Sequence, residues 1–368
     1  MENVNEVREA AERRLHEGDA AFLADLGIAL VQRCGAGAEH WQYRSVLDRL
    51  LRLLTITAGA ENVAQALRLI SAARAVQHGL DRFAALLLAS SQAPTDLAAA
   101  FVGDESSGGA SDELRACLVH ELVLRDVVPF EVPGVAEWVA SPDWRRHSLA
   151  RLPLELSAIE ENRDLPDYGI RGHGSSMPFG PSTDHTVVAW AGGTRSSALT
   201  ATETTTNALE VSITAAVANW TEESNGQAEA RVFEFAGPVD ADAVPATLLS
   251  VGLESLNDRR HGATFSTYDY GPAVAWRMLF AAACNGGAYS PGYFGAYGRL
   301  AAWQSLAGLC GAAEDAGIAD IAALAQECSW YGFDTDSEWF NQVAWDIGIA
   351  TLDPRRLRLA VLAATDTD

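Results

Sequence analysis

The 368-residue chain contains no lysine, so all 26 of its basic residues are arginine. That absence removes whole chemistries: there is no Schiff-base lysine, no P-loop lysine and no Ser-Lys pair, because arginine stays protonated and serves neither as nucleophile nor as general base. A biased coding composition accounts for the same absence without any function. Positive charge is scarce as well. A formal charge of −23 and a pI near 4.6 argue against nucleic acid and anionic membrane surfaces, since the protein's own field repels both.

Metal and nucleophile signatures are missing too. The five cysteines (Cys34, Cys117, Cys284, Cys310 and Cys328) are odd in number and widely spaced, with no C-x-x-C pair. They read as reduced core thiols of a cytoplasmic protein. The histidines form no H-E-x-x-H, and no G-x-S-x-G, dinucleotide or Walker A loop occurs. No cofactor and no metal site is expected on these grounds. No apolar run reaches membrane-spanning length, and the opening "MENVNEVREAAERRLHEG" is a charged helix pattern rather than a leader.

What is present is a core-forming composition, 48% hydrophobic and 20% charged, over a length that suits two packed units or one large domain. Residues 1–162 read as helix almost throughout. In "HWQYRSVLDRLLRLL", Tyr43, Val46, Leu47, Leu50, Leu51 and Leu54 follow the i, i+3, i+4, i+7 spacing of one buried stripe. Gly59, Gly79, Pro94-Thr95-Asp96 and Ser141-Pro142-Asp143 punctuate successive helices, which leaves helical-hairpin repeats open.

A Gly-, Ser- and Pro-rich junction over residues 163–185 changes the character of the chain. Beyond it, residues 186–368 read as α+β: "TVVAWA" and "ARVFEFA" as strands, "NALEVSITAAVANW" as a helix with Asn207 and Glu210 at a cap-like spacing, and the C-terminus as a β-hairpin around Pro354. The expected fold is α+β and helix-rich, with an all-helical N-terminal region packed on a C-terminal region that holds a small, mostly antiparallel sheet. Seven of ten tryptophans and seven of eight tyrosines lie beyond residue 160. Their apolar bodies and polar tips suit either a ligand pocket or an aromatic core.

Five groups carry candidate chemistry. Asp334 and Asp336, with Glu338, alternate in "WYGFDTDSEWF", where they bind a divalent cation or act as acid and base, or where Ser337 or Asp336 caps a helix starting at Glu338. Glu222 and Glu223 precede Asn225-Gly226, where a helix stops, and form either a catalytic pair or an exposed acidic turn. His173, Ser175, Ser176, Asp184 and His185 sit in the junction without a spaced signature, and Asp366 and Asp368 end the chain after an apolar strand, as a solvated tail or a docked terminus.

The fifth group is "GGAYSPGYFGAYGRLAAWQSL". A helix is expected from near Ala296, its free amides offering an anion site lined by Tyr289, Tyr293 and Tyr297, with Arg299 in the first turn. Arg231 and Arg299 are the nearest cations for pairing with Glu222 and Glu223 or for gripping an anionic ligand, and Trp303 and Trp339 complete the aromatic wall.

The segments "NWTEESNG", "YGRLAAWQSL" and "WFNQVAWDIGIATL" with the terminal "LAATDTD" resemble an uncharacterised actinobacterial family known only as a domain of unknown function. The likeness covers most of the part beyond residue 160. It implies a cytosolic bacterial protein and assigns no activity, ligand or catalytic residue.

Two functional expectations follow. In one, the C-terminal region is a cofactor-independent enzyme or binder of a small organic or peptide ligand: Glu222, Glu223, Asp334 and Asp336 transfer protons, Arg231 or Arg299 stabilises charge, and the tyrosines orient the ligand. In the other, the N-terminal helices form a docking surface and the C-terminal region is structural, as in an adaptor or immunity-type protein with an acidic face against a basic partner.

Overall fold

The computed structural model describes residues 2–34, 41–77, 79–102, 109–161, 163, 165–169, 172–174, 186–188, 200–257, 265–340 and 345–367. Helices dominate the first part: α1 (Glu2–His16), α2 (Ala20–Cys34), α3 (Trp41–Ile56), α4 (Ala60–Ala73), α5 (Leu80–Ser91), α6 (Ala98–Val102), α7 (Asp112–Leu124), α8 (Val135–Val139) and α9 (Pro142–Arg146). A short antiparallel pair, β1 (Asp167–Gly169) and β2 (Gly172–Gly174), follows. The chain continues through β3 (Thr186–Val188), β4 (Ala201–Glu203), α10 (Asn207–Thr214), α11 (Ala218–Glu223), β5 (Gln227–Phe235), α12 (Val244–Leu248), β6 (Phe265–Tyr270), α13 (Pro272–Asn285), α14 (Phe294–Cys310), α15 (Ile318–Glu327), β7 (Ser329–Thr335), β8 (Trp345–Leu352) and β9 (Arg358–Asp366). The fold is α+β, and no helix among the described residues is long and apolar enough to cross a membrane.

Two compact units partition these elements. The first comprises Met1–Leu156, Pro166–Gly174 and Phe294–Ala296; the second comprises Ser157–Leu165, Ser175–Tyr293 and Tyr297–Asp368. In the first unit the stripe of α3 is buried at Val46, Leu50, Leu51 and Leu54, while Tyr43, at the solvent end of the pattern, is exposed. Helix α7 is buried from Leu118 to Leu124 on every side, His120 and Glu121 included. It starts at a Ser111 cap that accepts the Leu114 amide at 3.1 Å. Pro142 opens α9, with Ser141 accepting the Trp144 amide.

The second unit is built on one antiparallel sheet of order β3-β6-β7-β8-β9-β5-β4. One face carries Phe233, Phe235, Leu359, Val361, Tyr331, Phe333 and Phe265, packed against Val239, Val244, Leu248 and Leu253. The opposite face, with Ala230, Val232, Ile347, Ile349, Ala360, Leu362 and Ala364, is buried as well. Strand β9 therefore reads as a continuous apolar run instead of an alternating one. Asp353 makes the β8–β9 turn by accepting the Leu357 and Arg358 amides at 2.6 and 2.8 Å. Arg358, at the start of β9, donates to the Gly308 and Leu309 carbonyls that end α14.

The helix expected over residues 207–220 is instead two. A 3-10 turn at Ala215–Val217 separates α10 from α11 and frees the Ala216 amide for the Ser305 hydroxyl. The cap of α10 is Thr206, which accepts the Leu209 amide, and not Asn207.

Candidate functional site

The glycines of "GGAYSPGYFGAYG" answer to close approach. Gly286 and Gly292 have φ of 78° and 72°, and a Cβ on Gly292 would stand 2.4 Å from the Cys284 carbonyl oxygen. Helix α14 begins at Phe294, two residues before the expected start. In the first unit, its Ala296 amide donates at 3.0 Å to the Glu121 carboxylate, which also pairs with Arg125 at 2.6 Å. The anion position at this helix end thus holds a carboxylate of the protein itself. A Cβ on Gly295 would lie 2.6 and 2.7 Å from the Glu121 oxygens, so glycine is what lets that carboxylate reach the helix end.

Arg299 is fully buried. Its Nε and a terminal nitrogen donate to the two Glu160 oxygens at 2.6 and 2.9 Å, and Trp303 Nε1 donates to the same carboxylate at 2.9 Å. The Ser157 amide adds a fourth bond at 2.7 Å, closing a capping box over the short turn Ala158–Glu160. Arg231, on β5, faces Glu203 at 2.9 Å, Glu229 at 3.5 Å and Glu254 at 3.5 Å. Both arginines singled out for an anionic ligand therefore have protein carboxylates as partners.

The acidic candidates gather elsewhere in the second unit, at one end of the sheet. Trp345 pairs with Asp366, Gln227 with Thr365, and Phe265 with Thr335, so the starts of β8, β5 and β6 and the ends of β9 and β7 share that end. Helix α11 arrives there with Glu222 and Glu223 exposed. The next residue, Ser224, donates its hydroxyl to the buried Asp366 carboxylate at 2.8 Å, and the loop after α13 supplies the Ala288 amide to Asp366 and the Tyr289 amide to Ser224 Oγ. Asp366 is a docked residue, and Tyr289, next to Ala288 in sequence, stands 62% exposed. Across the end, Asp334, Asp336 and Glu338 are exposed, and the Trp339 carbonyl accepts from the Gln227 side chain at 3.2 Å. Tyr293 and Tyr297 are half-buried. Ser337 accepts the Phe340 amide at 3.4 Å in a cap-like turn, but residues 338–340 form no helix.

Asp334 has a displaced proton affinity. Although the residue is exposed by accessible area, burial among close protein atoms raises its pKa, the Thr335 amide opposes the rise, and the charges of Asp346 and Asp336 add to it. The neighbouring Tyr268 hydroxyl is pushed up to about 12 by burial and by the Asp334 charge. The ring of Tyr268 lies over Gly332, where a Cβ would fall 1.9 Å from it. Among the described residues of the second unit from 200 onward, sixteen Asp and Glu are exposed against two arginines, Arg355 and Arg356, which sit in the β8–β9 turn at the opposite end of the sheet.

One constellation in the first unit has no spacing signature in the sequence. Glu113 accepts from Arg82 at 3.1 Å, lies 3.1 Å from His147 Nε2, and is the acceptor for the Cys117 thiol at 3.9 Å. The glutamate stands between thiol and imidazole, and the ring's Nδ1 accepts the Leu149 amide. Burial, then the charges of Glu113 and Glu121, hold the Cys117 thiol well above its ordinary range. This is the wrong order and the wrong proton affinity for a nucleophile. Cys284, Cys310 and Cys328 are buried as well. No group of three or more His, Cys, Asp or Glu among the described residues is disposed to hold a metal ion. Ser175, Ser176, Asp184, His185 and Asp368 lie outside the described residues, as does the side chain of His173.

No curated protein and no solved structure matches the chain. A family match extends well past the C-terminal segments, over residues 5–368, and the chain belongs to the family of unknown function DUF6183.

Proposed function

We propose that the protein works by binding, and that the acidic end of its sheet docks a basic protein segment rich in arginine or lysine. One observation carries the reading: Glu222, Glu223, Asp334, Asp336 and Glu338 are exposed at that single end, while the exposed arginines described in this unit lie at the other. Such a surface attracts cations over several ångströms, speeds encounter with a basic partner and rejects acidic ones. Exposed Tyr289 adds an aromatic face, to which guanidinium and ammonium groups are attracted. The internal pairing of Arg231 and Arg299 weighs against an anionic ligand as the natural occupant.

Proton transfer at the same carboxylates is the second reading. It is favoured by Asp334 alone, whose raised pKa is the property of a general acid.

Fluorescence anisotropy with a labelled arginine- and lysine-rich peptide tests the first reading. Binding that weakens steeply between low and physiological salt, and that an acidic peptide of equal length does not compete, supports it. Equal binding of the two peptides contradicts it.

A further inference from the structure

Asn219 is fully buried, and neither its Oδ1 nor its Nδ2 has a hydrogen-bond partner. The residue stands in the first turn of α11, next to Trp220, whose indole nitrogen donates to the Ala282 carbonyl of α13 at 3.2 Å. One turn earlier, the Ala216 amide reaches the buried Ser305 hydroxyl of α14 at 2.9 Å. The segment is therefore wedged among helices of the second unit, flanked by the buried residues Ala216, Val217 and Trp220.

Local chemistry does not explain an asparagine there. Its amide neither caps α11 nor bonds back to a preceding carbonyl, the two usual roles of a helical Asn. Asparagine is also a poorer helix former than the alanines around it. A buried carboxamide with both ends unpaired is among the costlier defects a core can hold. The indole N–H of Trp276, on α13, is buried without a partner as well.

We propose that Asn219 anchors an internal site for a small uncharged molecule that donates to Oδ1 and accepts from Nδ2, water being the smallest such guest. The guest is neutral because no charged side chain is bonded to the amide, and an ion would have to be buried without a counter-charge. The site is independent of the acidic end of the sheet.

Asn219→Leu, close in volume and devoid of polar atoms, gives opposite signs for the two cases. With a guest bound in the unaltered protein, the variant evicts it and lowers Tm, by about 4 °C. With none, the variant relieves two unpaired polar atoms and raises Tm, which overturns the proposal. A crystal structure of the unaltered full-length chain decides the question even where the variant does not fold. Ordered density within about 3.2 Å of both Oδ1 and Nδ2 supports the site, a single peak identifying water and an extended one a larger neutral molecule. Clear density for the side chain with nothing bonded to it overturns the proposal.

Discussion

Ser224 and Asp366, 142 residues apart, share a hydrogen bond of 2.8 Å that fastens the end of strand β9 to the end of helix α11. The same carboxylate takes the Ala288 amide, so the end of β9, the acidic turn and the glycine-rich loop are held together.

Removing that carboxylate should loosen all three. Asp366→Ala leaves the Ser224 hydroxyl and the Ala288 amide without their acceptor, at a cost of about 2–3 kcal/mol, while Ser224→Ala costs about 1 kcal/mol. Urea unfolding of the two variants checks the order. Equal and negligible losses would mean that the contact is not formed in solution.

Arg299 should prove a stability residue. Arg299→Ala strands the Glu160 carboxylate in the core and should destabilise by about 3–5 kcal/mol, whereas replacing both partners by apolar residues should recover most of the loss. A double-mutant cycle measures the coupling. A coupling near zero would contradict the buried bidentate pair.

Gly295→Ala should reverse sign with its background. Alanine in a helix normally stabilises by about 1 kcal/mol over glycine, but here its Cβ meets the Glu121 oxygens at 2.6 Å and the change should destabilise by about 1–3 kcal/mol. Measured in a Glu121→Ala background, the same substitution should cost little or help. A loss of equal size in both backgrounds would remove Glu121 from the explanation.

Asp334 offers a pH test with a definite sign. Its folded-state pKa is raised above the ordinary aspartate value of 3.8, so the ionised form is disfavoured in the native state. The contribution of Asp334 to stability therefore falls as pH rises from below 3.8 through the folded pKa, and the penalty is fully present above it. Asp334→Asn should be more stable than wild type near neutral pH, by only about 0.5 kcal/mol because the group is exposed. The advantage should vanish in acid. Thermal melts across the acid range check this, and a variant less stable at neutral pH would refute it.

What could be read from the sequence divides by the range of the interactions. The stripe of α3, the Ser141 cap of α9 and the turn around Pro354 depend on residues a few positions apart, and each appears in the pattern of side chains. The partners that decide the candidate site are remote. Nothing near Arg299 marks Glu160, 139 residues earlier, as its counter-ion, and nothing near Ala296 marks Glu121, 175 residues earlier, as the occupant of the helix end. For the same reason Asp366 read as a solvated tail, whereas its carboxylate is buried and bonded to Ser224. The acidic turn and the D-x-D group were visible separately, but their common position at one sheet end follows from strand order, which local periodicity does not encode.

The most direct test of the docking claim keeps charge constant and moves it. Glu222→Gln, Glu223→Gln, Asp334→Asn and Asp336→Asn together neutralise the sheet end. Glu314→Gln, Asp315→Asn, Asp320→Asn and Glu327→Gln remove the same charge around α15, where those residues are exposed too. Titrated with the basic peptide at physiological salt, the first variant should lose affinity by roughly tenfold or more, and the second should stay within about twofold of wild type. Equal losses in both variants would show that peptide binding follows net charge alone and would contradict a docking site at this end of the sheet.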